Sequence, residues 1–293
     1  MAVAGLLLVD KPAGITSHDV VARVRKLAGT RKVGHAGTLD PMATGLLVLG
    51  IESGTKLLTF VVGNDKTYLA TIRLGQNTTT DDAEGEVLES RNASAVSQDA
   101  VLTEIAKLTG DIMQRPSSVS AIKVDGERAY ARVRAGESVE LPKRPVTVAG
   151  FDVVAPIRFE QNFVDIDVEV NCSSGTYIRA LARDLGEALG VGGHLTSLRR
   201  TRIGKFVIEN SISLENPPAG LPIVPNSDAA ALILPALSID DLQALELRQG
   251  KRPEVKIAET TAAIDPTGKL VAIVEPFGKL IKSLVVFNDS SEV

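Results

Sequence analysis

The chain has 293 residues, of which 44% are hydrophobic and 23% charged, and its formal net charge is −4. These proportions are those of a globular protein with room for one large domain and a smaller one, and the sequence contains no run of the roughly 18 apolar residues that span a bilayer. The single cysteine, Cys172, cannot form an internal disulfide and lacks the spaced partners of a zinc site, so we expect a reducing cytoplasm and no structural metal.

Strand and helix signals mix in the first part of the chain. The opening apolar run, MAVAGLLLVDKP, predicts a buried strand and not a signal peptide, because no basic segment precedes it. Ser17 is predicted to cap a helix whose apolar residues follow at helical spacing until Gly29 ends it. A short strand or a buried turn is predicted over residues 45–51, a strand over residues 66–74, and a helix from residue 97 to about residue 108.

Two further strands are predicted over residues 146–154 and 163–172. In the second, Asp165, Asp167 and Glu169 alternate with apolar residues. Acids in this spacing could hold a metal ion, but a period of two favours the solvent-facing side of a strand. A helix follows over residues 176–189.

The order of these elements predicts the fold class. Strands and helices do not alternate regularly, which favours an α+β fold with a mixed, largely antiparallel central sheet flanked by helices. Prolines recur from residue 216 to residue 235 and indicate a linker or a wrapped connection, and short strand-like runs beyond them predict a small β-rich module. We therefore expect two domains, residues 1–234 and residues 235–293.

The charges are unevenly distributed. Basic residues concentrate in residues 23–32, in residues 115–144 and again at Arg199, Arg200, Arg202 and Lys205, whereas acids concentrate in residues 81–89 and along the C-terminal third. Any one such cluster is typical of a solvated helix face. Together the basic clusters offer local surfaces to an anionic partner in spite of the negative total.

Common cofactor motifs are absent from the sequence. No G-x-G-x-x-G follows a predicted strand, and GIESGTK lacks the spacing of a phosphate-binding P-loop. The acidic stretch DDAEGE is too short for a calcium loop. We therefore expect neither a nucleotide cofactor nor a metal.

The stretch GHAGTLDPMATG contains a lone carboxylate, Asp40, among small and apolar residues. Pro41 restricts the backbone of the residue before it, and the glycines allow a bulky ligand to approach closely. The alternative is an Asx turn in which Asp40 only bonds its own backbone.

Several segments, in order, closely resemble the bacterial TruB family: GLLLVDKPAGITSHDVV, KVGHAGTLDPMATGLLVLG, KTYLATIRLG, TDDAEGE, CSSGTYIRALARDLG and HLTSLRRTRIG. The resemblance runs from about residue 5 to residue 204. It implies the pseudouridine synthase fold and an isomerase that converts uridine 55 in the T loop of tRNA to pseudouridine after flipping the base out. The C-terminal segments LELRQGKRP and DPTGKLVAIVEP resemble a shortened PUA-type RNA-binding module.

The resemblance also implies roles for individual residues. Asp40 matches the essential catalytic aspartate, Tyr68 the tyrosine that stacks on the target base, and Arg179 the arginine that pairs with the catalytic carboxylate. The residues that match substrate-binding positions are His35, which helps to hold the flipped T loop, Tyr177, Leu198 in the uracil pocket, Lys11 beside Pro12 in the first motif, Gly37 and Thr38. No metal or cofactor is implied, the expected partner is the T stem-loop of tRNA without any membrane, and we expect a cytoplasmic monomer.

Plainer interpretations stay open for these residues. Tyr68 and Tyr177 could be ordinary core tyrosines, and His35 a loop histidine that caps a carbonyl. For the whole chain the alternatives are a non-catalytic RNA-binding protein and a small-molecule hydrolase that uses Asp40 with His35. In the synthase, Asp40 could act at C1′, at the base or at C2′. Apolar neighbours such as Leu198 would raise its pKa, and the charge of Arg179 would oppose that rise.

Overall fold

A computed structural model describes residues 3–117 and 141–288, together with the backbone of residues 123–124 and 127–128. In this part of the chain the helices are α1 (Ser17–Ala28), α2 (Leu58–Val62), α3 (Gln98–Lys107), α4 (Ile178–Ala188), α5 (Asn226–Ile233) and α6 (Asp241–Arg248). The strands are β1 (Gly5–Lys11), β2 (Val33–His35), β3 (Thr44–Ile51), β4 (Lys66–Leu74), β5 (Gln76–Thr78), β6 (Val87–Ser90), β7 (Gly110–Gln114), β8 (Lys123–Val124), β9 (Glu127–Arg128), β10 (Arg144–Val153), β11 (Arg158–Phe159), β12 (Val164–Cys172), β13 (Gly193–Ile203), β14 (Phe206–Val207), β15 (Ile212–Ser213), β16 (Val224–Pro225), β17 (Ala236–Ser238), β18 (Thr261–Ile264), β19 (Leu270–Phe277) and β20 (Leu280–Val286).

The described residues group into two compact units. Unit 1 comprises Met1–Asp40, Leu46–Asn64 and Gly204–Val293, and unit 2 comprises Pro41–Gly45 and Asp65–Ile203. The division into domains at residue 234 stays a prediction.

Unit 1 contains two sheets. In the first, β1 lies between β3 and β15, β2 pairs with β3, and β16 pairs with the start of β1. Valines of α1 pack on this sheet, in a core that joins Val20 and Val24 to Leu7, Val9 and Leu47. Burial of these side chains, each worth about 1.5–3 kcal/mol, holds the helix on the sheet.

The second sheet of unit 1 is formed by the C-terminal strands in the order β17, β18, β19, β20. Its first pair is parallel and the others are antiparallel. Helix α6 covers one face, where Leu247 packs among Val271, Val274 and Ile281. This is the small β-rich module that the sequence predicts.

Unit 2 is built on a sheet with the strand order β13, β4, β12, β10, β7, in which every neighbouring pair is antiparallel. The first residues of β3, Thr44 and Gly45, add to it by pairing in parallel with Arg199 and Arg200 of β13. The sheet is thus mixed and largely antiparallel. Helix α4 packs on β13 and β4, so the predicted α+β class is confirmed.

Most predicted elements are observed, with ends that differ by at most two residues. Two details are wrong. The residue that caps α1 is Thr16, whose side chain accepts a hydrogen bond from the Asp19 N–H while the Asp19 carboxylate accepts one from the Thr16 N–H. The predicted linker contains α5, in which Ala229 and Ala230 are buried.

The acids of β12 alternate with buried apolar residues, as predicted, but Asp165 and Asp167 are paired with arginines and not freely solvated. The guanidinium of Arg73 binds both carboxylate oxygens of Asp165, at 2.8 and 2.7 Å, and Arg158 binds Asp167. The predicted basic cluster at residues 115–144 lies for the most part outside the described residues. Along the described ranges, no helix has the length and apolar character needed to cross a membrane.

Candidate active site

The loop that carries Asp40 follows β2 and is pinned at two points within unit 1. The Ala36 N–H donates to the Val48 carbonyl at 2.9 Å. Ser17, buried in the first turn of α1, accepts a hydrogen bond from the Leu39 N–H at 2.9 Å and donates one to the Leu39 carbonyl at 3.1 Å. The residue before Asp40 is therefore fixed at both backbone groups, and Asp40 itself is half-buried.

Lys11 lies at the end of β1 and is fully buried. Its ammonium group donates to the carbonyls of Pro12 at 2.9 Å and Ile15 at 2.7 Å. These bonds shape the turn that leads into α1, because a buried ammonium must satisfy its donors within the protein. Lys11 thus supports, through α1 and Ser17, the loop in which Asp40 lies.

His35 ends β2, where it pairs with Leu49 of β3. Its ring lies 5.6 Å from the ring of His18, edge to face. His18 is exposed in the first turn of α1. In the same loop Gly37 is half-buried and Thr38 is exposed.

In unit 2, Tyr68 and Leu198 lie on one face of the sheet. On β4, Tyr68 pairs with Arg200 of β13, and two residues later Ala70 pairs with Leu198. Side chains two residues apart on a strand share a face, so the tyrosine and the leucine are neighbours on the sheet. Both are largely buried, with Tyr68 8% exposed.

Arg200 is buried, although the sequence predicts it as part of a basic surface. The sequence groups it with Arg199 and Arg202 as a basic surface, whereas its residue is only 1% exposed and lies on the same face as Tyr68. Gly45 permits this arrangement, because a Cβ atom there would lie 2.3 Å from the Arg200 carbonyl oxygen. Arg200 is therefore part of the interior and not of a phosphate-binding surface.

Arg179 lies in the first turn of α4 and is buried. Its Nη1 donates to the Thr80 carbonyl at 2.9 Å and lies 3.2 Å from Oδ2 of Asp82. The other carboxylate oxygen of Asp82 accepts hydrogen bonds from the Thr80 hydroxyl at 2.5 Å and the Glu84 N–H at 3.0 Å. Loop 79–85 thus presents a fixed carboxylate to Arg179. The expected pairing of Arg179 with Asp40 involves residues of different units and stays a prediction.

Tyr177 is the residue that precedes α4 and is half-buried. The side chain of Gln114, at the end of β7, accepts from the Tyr177 N–H at 2.8 Å and donates to the Tyr177 carbonyl at 3.0 Å. Gln114 therefore fixes the backbone just ahead of Arg179.

Four residues organise these positions in ways that the sequence does not predict: Ser17, which is predicted only to cap α1, His18, Asp82 and Gln114. Ser17, His18 and Asp82 lie in segments that carry the family resemblance, GLLLVDKPAGITSHDVV and TDDAEGE, whereas Gln114 lies outside them. Their contacts join residues distant in sequence, and residue types alone do not reveal them.

A family model described as TruB family pseudouridylate synthase (N terminal domain) matches residues 25–178. The chain belongs to the TruB family. Two further models cover the rest of this TruB-family chain: tRNA pseudouridylate synthase B C-terminal domain over residues 179–218 and tRNA Pseudouridine synthase II, C terminal, over residues 234–288. The predicted membership of the family is confirmed, and the chain is a pseudouridylate synthase.

Relatives of this TruB-family chain match it over nearly its whole length. A protein of Arthrobacter sp. (strain FB24) named tRNA pseudouridine synthase B is 55% identical, covering 99% of this chain and 98% of the relative. The protein of the same name from Rhodococcus jostii (strain RHA1) is 59% identical, covering 98% of this chain and 95% of the relative.

Among solved structures, one titled Crystal Structure of a Cbf5-Nop10-Gar1 Complex matches the TruB-family chain with a TM-score of 0.73 and 26% identity, covering 97% of this chain and 85% of that one. Another, titled Structure of H/ACA RNP bound to a substrate RNA containing 2'-deoxyuridine, matches with a TM-score of 0.72 and 25% identity, covering 97% and 85%. The predicted pseudouridine synthase fold and its C-terminal module are confirmed.

Proposed function

We propose that the chain converts uridine 55 in the T loop of tRNA to pseudouridine. The observation that carries this proposal is the identity of 55–59% to proteins named tRNA pseudouridine synthase B over at least 97% of the chain. The anchored loop before Asp40 supports it, because a catalytic carboxylate must be held in a fixed position relative to the bond that it attacks or polarises.

The reaction breaks the N1–C1′ glycosidic bond, turns the uracil and rejoins it to C1′ through C5. The proton leaves C5 and N1 gains one, so there is no net redox change and the chemistry itself requires no cofactor. Asp40 carries the reaction in this proposal, at C1′, at the base or by taking the C2′ proton. Because the detached uracil must be retained, the site must also exclude water.

The other residues bind and orient the nucleotide in this proposal. A base flipped out of the folded T loop loses a few kcal/mol of stacking, and stacking on Tyr68 returns about 1–3 kcal/mol. Arg179 supplies the positive charge that keeps the Asp40 carboxylate ionised. Asp82 and Thr80 hold the Arg179 guanidinium in place. This supports the role, because a side chain that is already fixed loses little entropy when it pairs. The remaining substrate-binding assignments are His35, Tyr177, Leu198, Lys11, Gly37 and Thr38.

The proposed partner is the T stem-loop of tRNA, bound by a cytoplasmic monomer without a membrane or a nucleotide cofactor. Arg23, Lys26 and Arg31 are exposed on α1 and in the loop after it, which supports contacts to phosphates. Binding should therefore weaken as salt rises. We further propose that residues 1–234 form the catalytic domain and residues 235–293 a shortened PUA-like RNA-binding domain.

The decisive experiment compares the wild-type protein with Asp40→Asn on a T-loop transcript. We expect pseudouridine at position 55 with the wild type, and no detectable product with the variant, which should still bind the RNA with an affinity within about threefold of wild type. Normal turnover by Asp40→Asn would reject the assignment of Asp40 as the catalytic carboxylate. A wild type that binds the RNA but forms no product would support the rival of a scaffold that only binds RNA. Undiminished activity on free nucleosides without RNA would support the small-molecule hydrolase.

A further inference from the structure

Two consecutive carboxylates face two arginines at the start of α4. Arg179 and Arg183 are four residues apart, so their side chains lie on the same face of the helix. Beside the Arg179–Asp82 pair, Nη1 of Arg183 donates to Oδ2 of Asp81 at 3.1 Å. Loop 79–85 is therefore held against α4 by two neighbouring ion pairs, both largely buried.

Arg183 uses its guanidinium to join three segments of unit 2. Besides Asp81 it binds the Arg115 carbonyl, to which Nη2 donates at 2.7 Å, and the Asp184 carboxylate, to which Nε and Nη2 donate at 3.0 and 2.8 Å. Arg115 directly follows β7. Such a fork of donors is the property that distinguishes arginine from lysine.

Asp81 depends on this contact. Its backbone has a φ of 59°, a left-handed conformation uncommon outside glycine, and its carbonyl accepts a hydrogen bond from the Leu195 N–H at 3.1 Å. Burial raises the pKa of Asp81, and the charge of Arg183 is the largest influence that lowers it. Without Arg183, this carboxyl group would take up a proton or turn towards water, and Asp82 is the next residue in the chain.

We propose that Arg183 is a positioning residue: by holding Asp81 it holds Asp82 against Arg179 and so fixes the Arg179 guanidinium for the reaction. The proposal rests on the proposed function, which gives Arg179 its role. Among the described residues, Arg183 and Arg179 of α4 act directly on the charge of Asp81, and Asp184 and Glu187 of the same helix act on Arg183. The other carboxylate of the loop, Asp82, is paired with Arg179.

The test compares Arg183→Met, Arg183→Lys and the double variant Arg183→Met/Asp81→Asn. The matched control is Arg73→Met, which removes a part-buried arginine–aspartate pair elsewhere in unit 2. Each protein is assayed for its single-turnover rate of pseudouridine formation, its affinity for the same T-loop RNA, its thermal stability and its pH profile.

We expect Arg183→Met to lower the single-turnover rate by about tenfold or more while RNA affinity stays within about threefold. The loss should grow as the pH falls, because Asp81 then takes up a proton that Arg183 normally excludes. The double variant removes the titrating group and should regain most of the rate. Arg183→Lys should lie between, and Arg73→Met should lose stability without losing rate.

A normal rate in Arg183→Met would overturn the proposal, and so would a double variant that is no faster than the single one. A third contradicting result is a loss of rate in Arg73→Met as large as that in Arg183→Met at an equal loss of stability, because the rate would then only follow stability. A crystal structure of Arg183→Met adds a readout that needs no activity. We expect Asp82 Oδ2 beyond about 4 Å from Arg179 Nη1, and an unchanged loop contradicts the proposal. Absence of product with the wild type would instead reject the proposed function.

Discussion

Ser17 and Leu39, 22 residues apart, exchange two hydrogen bonds through one buried hydroxyl. This contact couples the first turn of α1 to the residue before Asp40. Because Thr16 caps the helix, the Ser17 hydroxyl is left for the loop. The relationship makes Ser17 the residue whose loss should loosen the Asp40 loop most directly.

Ser17→Ala should lower the free energy of unfolding by about 1–3 kcal/mol, because both backbone groups of Leu39 lose their partner. It should also slow single-turnover pseudouridine formation, since the carboxylate of Asp40 is then held less firmly. Thr16→Ala is the matched control: it removes the helix cap, at about 0.5–2 kcal/mol, and leaves the loop anchored. Equal rates in the two variants at equal stability loss would contradict the role of Ser17.

Asp82→Asn tests the ion pair with Arg179. The amide keeps an oxygen for the Thr80 hydroxyl and the Glu84 N–H but removes the charge, and loss of one partner from a buried pair costs about 3–5 kcal/mol. The rate should fall more than RNA affinity, because Arg179 is then free to shift. Asp165→Asn, which breaks the more exposed pair with Arg73, should leave the rate unchanged. A wild-type rate in Asp82→Asn would contradict the role of Asp82 in fixing Arg179.

Gly45→Ala should destabilise unit 2 strongly. Its φ is 103°, and the added Cβ would lie 2.3 Å from the carbonyl oxygen and 2.8 Å from the nitrogen of Arg200, both backbone atoms that cannot move aside cheaply. Gly14→Ala is the control, with φ 80° and nothing within 4 Å of the added atom, so it carries only conformational strain of about 1–2 kcal/mol. Urea unfolding of both variants should show the larger loss for Gly45→Ala, and similar losses would mean that the close approach is relieved.

Periodicity predicted the strands of unit 2, because a pleated strand with one buried face repeats every two residues. The same period carries a signal about Arg200 that a count of charges misses. Adjacent residues of a strand face opposite sides, so Arg199 and Arg200 cannot both lie on the surface of a sheet covered on one face. Arg200 shares its face with the apolar Leu198, so its burial follows from β13 being a strand whose apolar face is covered.

Other features of the site depend on pairings that no local pattern encodes. Tyr68 and Leu198 become neighbours only through the register of β4 on β13, which joins residues 130 positions apart. The pair of Arg179 and Asp82 likewise joins a helix to a distant loop. The sequence contains the signal for the cap of α1, because Thr16 and Asp19 have the spacing of a capping box. The hydroxyl of the next residue, Ser17, is an equally suitable cap by residue type, which explains the wrong prediction.

Lys66 gives the chain a pH dependence of stability that can be isolated. It begins β4, on the same face as Tyr68, and it is buried. Burial, and after it the charge of Arg200, lowers the pKa of Lys66 from 10.5 to about 8. Below that pKa the folded protein carries a buried charge, whereas the unfolded chain keeps its ammonium in water.

Between about pH 8 and the ordinary lysine pKa, the unfolded chain holds a proton that the folded protein has released. The free energy of unfolding therefore rises with pH, with a slope that corresponds to at most about one proton. The free energy of unfolding of wild type minus that of Lys66→Met should therefore increase from pH 7 to pH 9. Cys172, whose pKa burial raises to about 11, is present in both proteins, so its own titration cancels in the difference. Lys205→Met, which removes an exposed ammonium group and leaves Lys66 in place, is the matched control. A difference for Lys66→Met that rises no more than the one for Lys205→Met would show that Lys66 is not charged in the folded protein at neutral pH or keeps its ordinary pKa.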